Sequence, residues 1–209
     1  MPRSRADSDG VVGCAKHSVH HQLFGLCGVF MNDNEDLKLV SEAQQGSRDS
    51  FERLLLQYEK PIFNAAYRIL RNYEDAKDVT QSVFLKAFQN IEHFDAKHRF
   101  FSWIYRIALN ESINLAKTRR RFDGAEDTRI EERKTPESLL RGKELSEVVL
   151  AALTSLEFEY KVVIVLRHFN DCSYQEMGEI LEIPEKTVKS RLFTARNLLR
   201  ESLSGKGGL

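Results

Sequence analysis

From Asp33 onward, apolar positions recur at helical spacing, and no run alternates apolar with polar in the manner of a half-buried strand. The pattern predicts an all-α chain. A first helix is expected over residues 36–45, stopped by Gly46. Ser47 can cap the next, whose inner stripe is Phe51, Leu54, Leu55, Tyr58, Ile62, Phe63, Ala66 and Ile69. Pro61 should bend this helix without ending it. Asn72 marks a break, and a further helix follows through Ala76, Val79, Val83, Ala87 and Phe88. After a loop of about ten residues, another helix starts near Phe100 and runs into a basic cluster.

Residues 123–142 change in character, with charged and small residues, Pro136 and two glycines, as expected of a flexible linker. A second helical block begins at Lys143, with one helix to about Ser155 and another over 157–169. Ser173 and Glu176 have capping-box spacing and open a third helix with Met177, Ile180 and Leu181 on its inner face. Ile183 and Pro184 make a corner. Beyond it, Val188, Leu192, Ala195, Leu198 and Leu199 supply the stripe of a last helix. This is helix-turn-helix spacing. The organisation expected is a disordered extension over 1–32, two small helical domains over 33–121 and 143–204, and a linker over 122–142.

Charge sharpens this picture. The 31 basic and 31 acidic side chains cancel, which argues against a simple basic DNA-coating protein, but their distribution is uneven. Lys117, Arg119, Arg120 and Arg121 cluster without an acid. Residues 185–201 hold Lys186, Lys189, Arg191, Arg196 and Arg200 against only Glu185 and Glu201. Two basic patches around an acidic spacer suit a protein that touches a polyanion at two places. Lys186, Lys189, Ser190, Arg191, Phe193 and Thr194 fall on the outward side of the last helix, where a recognition helix presents side chains to the major groove. A helical hairpin with a solvated basic face would show the same spacing. The capping box, the Ile-Pro corner and the clustered bases together favour DNA binding.

Two stretches carry the functional reading. In DAKDVTQSVFLKAF, residues 75–88, Asp75, Asp78 and Gln81 lie close together on one helix beside an apolar stripe. In FFSWIYRIALNESINLAKTRRR, residues 100–121, Phe100, Phe101, Trp103 and Tyr105 interleave with Arg106, Asn110 and the basic cluster. That mixture suits unstacked bases and single-stranded backbone, although most of these aromatics could equally be core, Trp103 with Ile104 and Ile107 in particular. With these motifs in this order, the chain over residues 36–202 closely resembles the extracytoplasmic-function sigma factors of the bacterial sigma-70 family.

The resemblance implies an RNA polymerase sigma factor that recognises the minus-35 and minus-10 promoter elements and melts the DNA. Asp75, Asp78, Gln81 and Phe84 match positions that bind the clamp helices of the polymerase largest subunit. The loop from Phe94 to Arg99 and the following helix, through Trp103, Arg106 and Asn110, match the part that captures a flipped base of the minus-10 element. Asn110 suits that task because an amide both donates and accepts. Lys117, Arg119, Arg120 and Arg121 would hold the DNA backbone and give a salt-dependent affinity. Lys186, Lys189, Ser190, Arg191, Phe193 and Arg196 match the minus-35 reader. Contacts to the polymerase flap and an anti-sigma factor are further implied partners. Three departures stand out: Lys186 replaces a usual glycine, Thr194 a commoner basic residue, and Glu111 places an acid beside Asn110.

Other classes are disfavoured. A free-standing regulator would need a sensing or dimerising domain in place of the first block. A nucleic-acid enzyme would need clustered carboxylates or a phosphate-cradling glycine loop, and neither is visible. Cys172, just before the capping box, reads as a partly buried spacer. No apolar run approaches the ~20 residues that span a bilayer, Asp7 and Asp9 interrupt any secretory signal, and three cysteines suit a reducing compartment, so a cytoplasmic protein without membrane insertion is expected. No cofactor is expected. Cys14, His17, His20, His21 and Cys27 could ligate zinc, but they match no defensible zinc spacing, and Met31 is a credible true start.

Overall fold

The computed structural model describes residues 33–122 and 143–205, except for the side chains of 120–122 and 143–147. The Cys and His cluster at 14–27 and the linker lie outside the described residues, as does the side chain of Arg120. Every regular element described is helical: α1 Asp33–Gln44, α2 Arg48–Leu70, α3 Tyr73–Asn90, a 3-10 turn Ile91–His93, α4 Phe100–Phe122, α5 Lys143–Thr154, α6 Phe158–His168, α7 Tyr174–Leu181 and α8 Glu185–Ser204. The all-α expectation holds.

Local chemistry explains the boundaries. Gly46, at φ +92°, takes the left-handed conformation that lets the chain turn from α1 into α2. Ser47 then accepts a hydrogen bond from the Ser50 amide, and Asn72 does the same for Asp75 at the head of α3. At Ser173 both halves of the capping box are made, Ser173 Oγ accepting from the Glu176 amide and Glu176 Oε2 from the Ser173 amide. Ser173→Ala should therefore cost about 1 kcal/mol. Urea denaturation of the full chain measures it, and an unchanged midpoint would contradict the cap.

Helices α1 to α4 form the first module around Tyr58, Ile62, Val83, Phe100, Ile104 and Tyr105, all essentially inaccessible. The second, α5 to α8, closes on Leu153, Val163, Leu166, Met177, Val188 and Leu192. Leu198, expected on the inner stripe of α8, is instead 37% exposed. The buried side runs through Val188, Leu192, Ala195 and the partly buried Leu199, and helical phase turns Leu198 away from it. Cys172 is fully buried, and burial pushes its thiol up to about 12, so it is an inert core residue.

One buried carboxyl makes a prediction. Asp36 accepts from Tyr58 Oη and, at 2.8 Å, from Gln57 Nε2. Burial raises its pKa despite the opposing effect of those bonds. A raised folded value contributes stability below the unfolded pKa that is lost as pH rises through the folded one. Asp36→Asn should flatten the pH dependence of the urea midpoint across that window. A slope equal to the parent's would contradict the account.

Candidate nucleic-acid and polymerase interface

Three surfaces emerge. The first is the outer face of α3. Asp78 and Gln81 are exposed there, as expected. Asp75 and Phe84 are not: Asp75 is buried against Arg119, its carboxylate 2.6 Å from the guanidinium, and Phe84 packs in the core. Helical phase turns these two inward, so the outer face of α3 displays Asp78 and Gln81 but not Asp75 or Phe84. Burial raises the Asp75 pKa, with Arg119 partly offsetting it. In their place stand two apolar residues that periodicity alone assigned to no site, Leu85 and Phe88, 59% and 53% exposed. With Asp78 and Gln81 they form one stripe along α3, at i, i+3, i+7 and i+10.

The second surface lies between the C-terminal half of α3 and the middle of α4. A cavity of about 470 Å³ opens here, lined among others by Lys86, Asn90, Trp103, Asn110, Glu111 and Asn114. Trp103 is half-buried and held edge-on by Phe94 at 5.3 Å. Phe94 itself is a core residue, 6% exposed, and lies behind Trp103 in the cavity wall. Of the cavity's lining, the sequence singles out Trp103, Asn110 and the acid beside it, Glu111. Lys86, Asn90 and Asn114 join them because α3 and α4 cross there.

Arg99 and Arg106 point elsewhere. Arg99 is paired with Asp33 at 2.8 Å and with Glu176 of α7. Arg106 meets Glu182 at 2.9 Å and donates to the Glu179 carbonyl at 2.5 Å. Asn170 donates to Tyr105 Oη at 2.6 Å, and Arg68 lies over the Phe169 ring at 4.5 Å. The second module is thus packed on α4 and α2 of the first, with its acids occupying Arg99 and Arg106. Lys117 stays exposed, and Arg119, although paired, remains half-exposed.

The third surface is the outer face of α8. Lys186, Ser190 and Phe193 are exposed, Phe193 at 69%. Lys189 is held by Glu185 at 2.6 Å and lies over the Tyr174 ring at 5.4 Å. Arg191 is braced by Glu159 of α6 at 3.0 Å. Arg196 donates to His168 Nε2 at 3.3 Å, and burial next to that cation holds the imidazole below its ordinary pKa, in the neutral form that can accept. This face remains open while Arg99 and Arg106 are covered.

Comparison with known proteins decides the family. Residues 54–122 match Sigma-70 region 2 and residues 146–199 match Sigma-70 region 4. The chain is 32% identical to the ECF RNA polymerase sigma factor SigW of Bacillus subtilis over 178 residues, 79% of this chain and 95% of the relative. This chain belongs to the extracytoplasmic-function sigma factors of the sigma-70 family. The ECF RNA polymerase sigma-E factor of Haemophilus influenzae is also 32% identical, over 80% of the chain and 95% of its own length. A solved structure of CnrH in complex with the cytosolic domain of CnrY has the same fold, with a TM-score of 0.64 at 24% identity, covering 82% of this chain and 98% of that one. As an RNA polymerase sigma factor the chain serves promoter recognition, through the two regions matched. No helix among the described residues is long and apolar enough to cross a membrane.

Proposed function

We propose that the three surfaces divide the work of initiation. The α3 stripe of Asp78, Gln81, Leu85 and Phe88 docks on the clamp helices of core polymerase. The α3–α4 cavity receives a flipped base of the minus-10 element, with Lys117 and the basic cluster after it holding the backbone. The outer face of α8, through Lys186, Lys189, Ser190, Arg191, Phe193 and Arg196, reads the minus-35 element in the major groove. The observation that carries this reading is the separation of an apolar-acidic stripe from a polar cavity on opposite edges of α3. One helix can then hold polymerase and DNA together.

No covalent chemistry is assigned to the chain, which acts in the cytoplasm with polymerase. The engagement of Arg99 and Arg106 by α7 supports a closed free form that opens on the polymerase. An anti-sigma partner is part of the same proposal, since the solved relatives of the fold include CnrH with CnrY and RpoE of Bartonella quintana with the anti-sigma factor NepR. Domain limits of 33–121 and 143–204 are assigned on the same basis.

Lys189→Ala with Arg191→Ala should lower promoter-specific transcription by the holoenzyme by roughly thirtyfold or more, as expected for two lost contacts of about 1–3 kcal/mol each. Association with core polymerase should be unchanged. Run-off transcription and core co-purification measure the two quantities, and unaltered promoter use would remove α8 from the reading surface.

A further inference from the structure

The cavity between α3 and α4 contains a charge that a DNA-binding surface should avoid. Glu111 lies in its wall, its carboxylate largely buried, and Lys86 approaches Glu111 Oε1 to 2.5 Å across the two helices. A lone carboxylate facing a phosphate backbone would be repelled. Pairing with Lys86 neutralises it locally and fixes its position, so the acid can sit beside DNA without opposing it. What remains is its hydrogen-bonding character. A carboxylate only accepts. Around it the cavity offers the amides of Asn90, Asn110 and Asn114, which both donate and accept, and the ring of Trp103.

We propose that Glu111, held by Lys86, determines base specificity in this cavity, admitting a base that presents an exocyclic amino group and rejecting thymine. Cytosine, adenine and guanine each bring an amino donor to a fixed acceptor. Thymine brings one ring N–H recessed between two carbonyl oxygens, and those oxygens would face the carboxylate. The inference rests on the reading of the cavity as the flipped-base site. It assigns a function to the residue that departs from the family pattern beside Asn110.

The test uses holoenzyme assembled from core polymerase and the full chain, acting on templates randomised across the minus-10 element. Opened templates are recovered and sequenced. With the parent chain, one position of the element should be depleted of thymine. Glu111→Gln keeps the size but adds an amide donor that can satisfy a thymine carbonyl, so thymine at that position should rise by roughly tenfold, the scale of one charged hydrogen bond. Glu111→Asp keeps the acceptor and should retain the depletion.

A thymine profile unchanged in Glu111→Gln, or shifted equally at every position, would overturn the proposal. Were Glu111→Gln too unstable to assemble, an Asp variant that lost the depletion while folding and binding core normally would overturn it equally. Asn110→Ala separates the two levels. If it leaves opening intact, the cavity is not the base site. If it impairs opening while Glu111→Gln leaves the base profile alone, only the specificity proposal fails.

Discussion

Leu85→Asp combined with Gln81→Ala is expected to lower affinity for core polymerase by about two orders of magnitude while leaving the fold intact. Leu85 is an exposed leucine on an otherwise well-packed helix, so a polar replacement removes nothing from the core. An apolar side chain at the centre of a docking stripe is where binding energy concentrates, with truncation costing about 2 kcal/mol or more. Phe84→Ala, one residue away, should behave in the opposite manner. Its ring is buried, so its loss should destabilise the first module by about 3–5 kcal/mol. Binding measured by fluorescence anisotropy, beside urea denaturation of each variant, separates the two effects. If Phe84→Ala lost core affinity at unchanged stability, or Leu85→Asp bound normally, the α3 stripe would be misplaced.

The second large effect concerns the contact between modules. Glu179→Lys with Glu182→Lys should open the free chain. Both acids are on the second module. The Glu182 carboxylate pairs with Arg106 of α4, so its reversal opposes that cation directly. The Glu179 carboxylate accepts from Ser102, and its reversal adds a positive charge beside the same arginine. Release of Arg106 should raise the affinity of the free chain for single-stranded minus-10 DNA by about 5- to 50-fold, within the usual range for coupling between two sites. The radius of gyration, measured by small-angle scattering, should increase. Raising the salt should loosen the parent chain in the same direction, since this ion pair is partly exposed and screened. Equal compactness and equal DNA affinity in the double variant would mean that the Arg106–Glu182 pair does not hold the closed form.

Much of this architecture was legible in the sequence, and the reasons differ from place to place. Gly46, Ser47, Asn72 and the Ser173–Glu176 box announce helix ends through backbone chemistry that acts over three or four residues, and each expectation is met. Of the α2 stripe, Leu54, Tyr58, Ile62, Ala66 and Ile69 are buried as expected, while Phe51, Leu55 and Phe63 are half-buried at its edge and Ser50 and Ala65 join the buried face. On α3 the same logic misleads. Asp75 is charged yet buried, since Arg119 reaches it from the end of α4, whereas Leu85 and Phe88 are apolar yet exposed.

Phase along a helix cannot reveal a partner 44 residues away. The cavity is illegible for the same reason, because Lys86 and Glu111 meet only when α3 and α4 cross. Neither could Arg99, just before α4, and Arg106, within it, announce that Glu176 and Glu182 would pair with them. Sequence places the chemistry on each helix; packing decides which of it faces outward, and toward what.

The central claim is that this chain gives core polymerase its promoter choice through both modules. The direct measurement is transcription reconstituted from purified core polymerase and the full chain on a library of random upstream sequences, with the start sites sequenced. The account predicts that core alone yields no shared start, whereas core with the chain selects templates sharing two elements at fixed spacing. The downstream element should disappear from the selection with Asn110→Ala, and the upstream one with Lys189→Ala and Arg191→Ala. A chain that fails to associate with core, and instead binds a single duplex site tightly by itself, would contradict it.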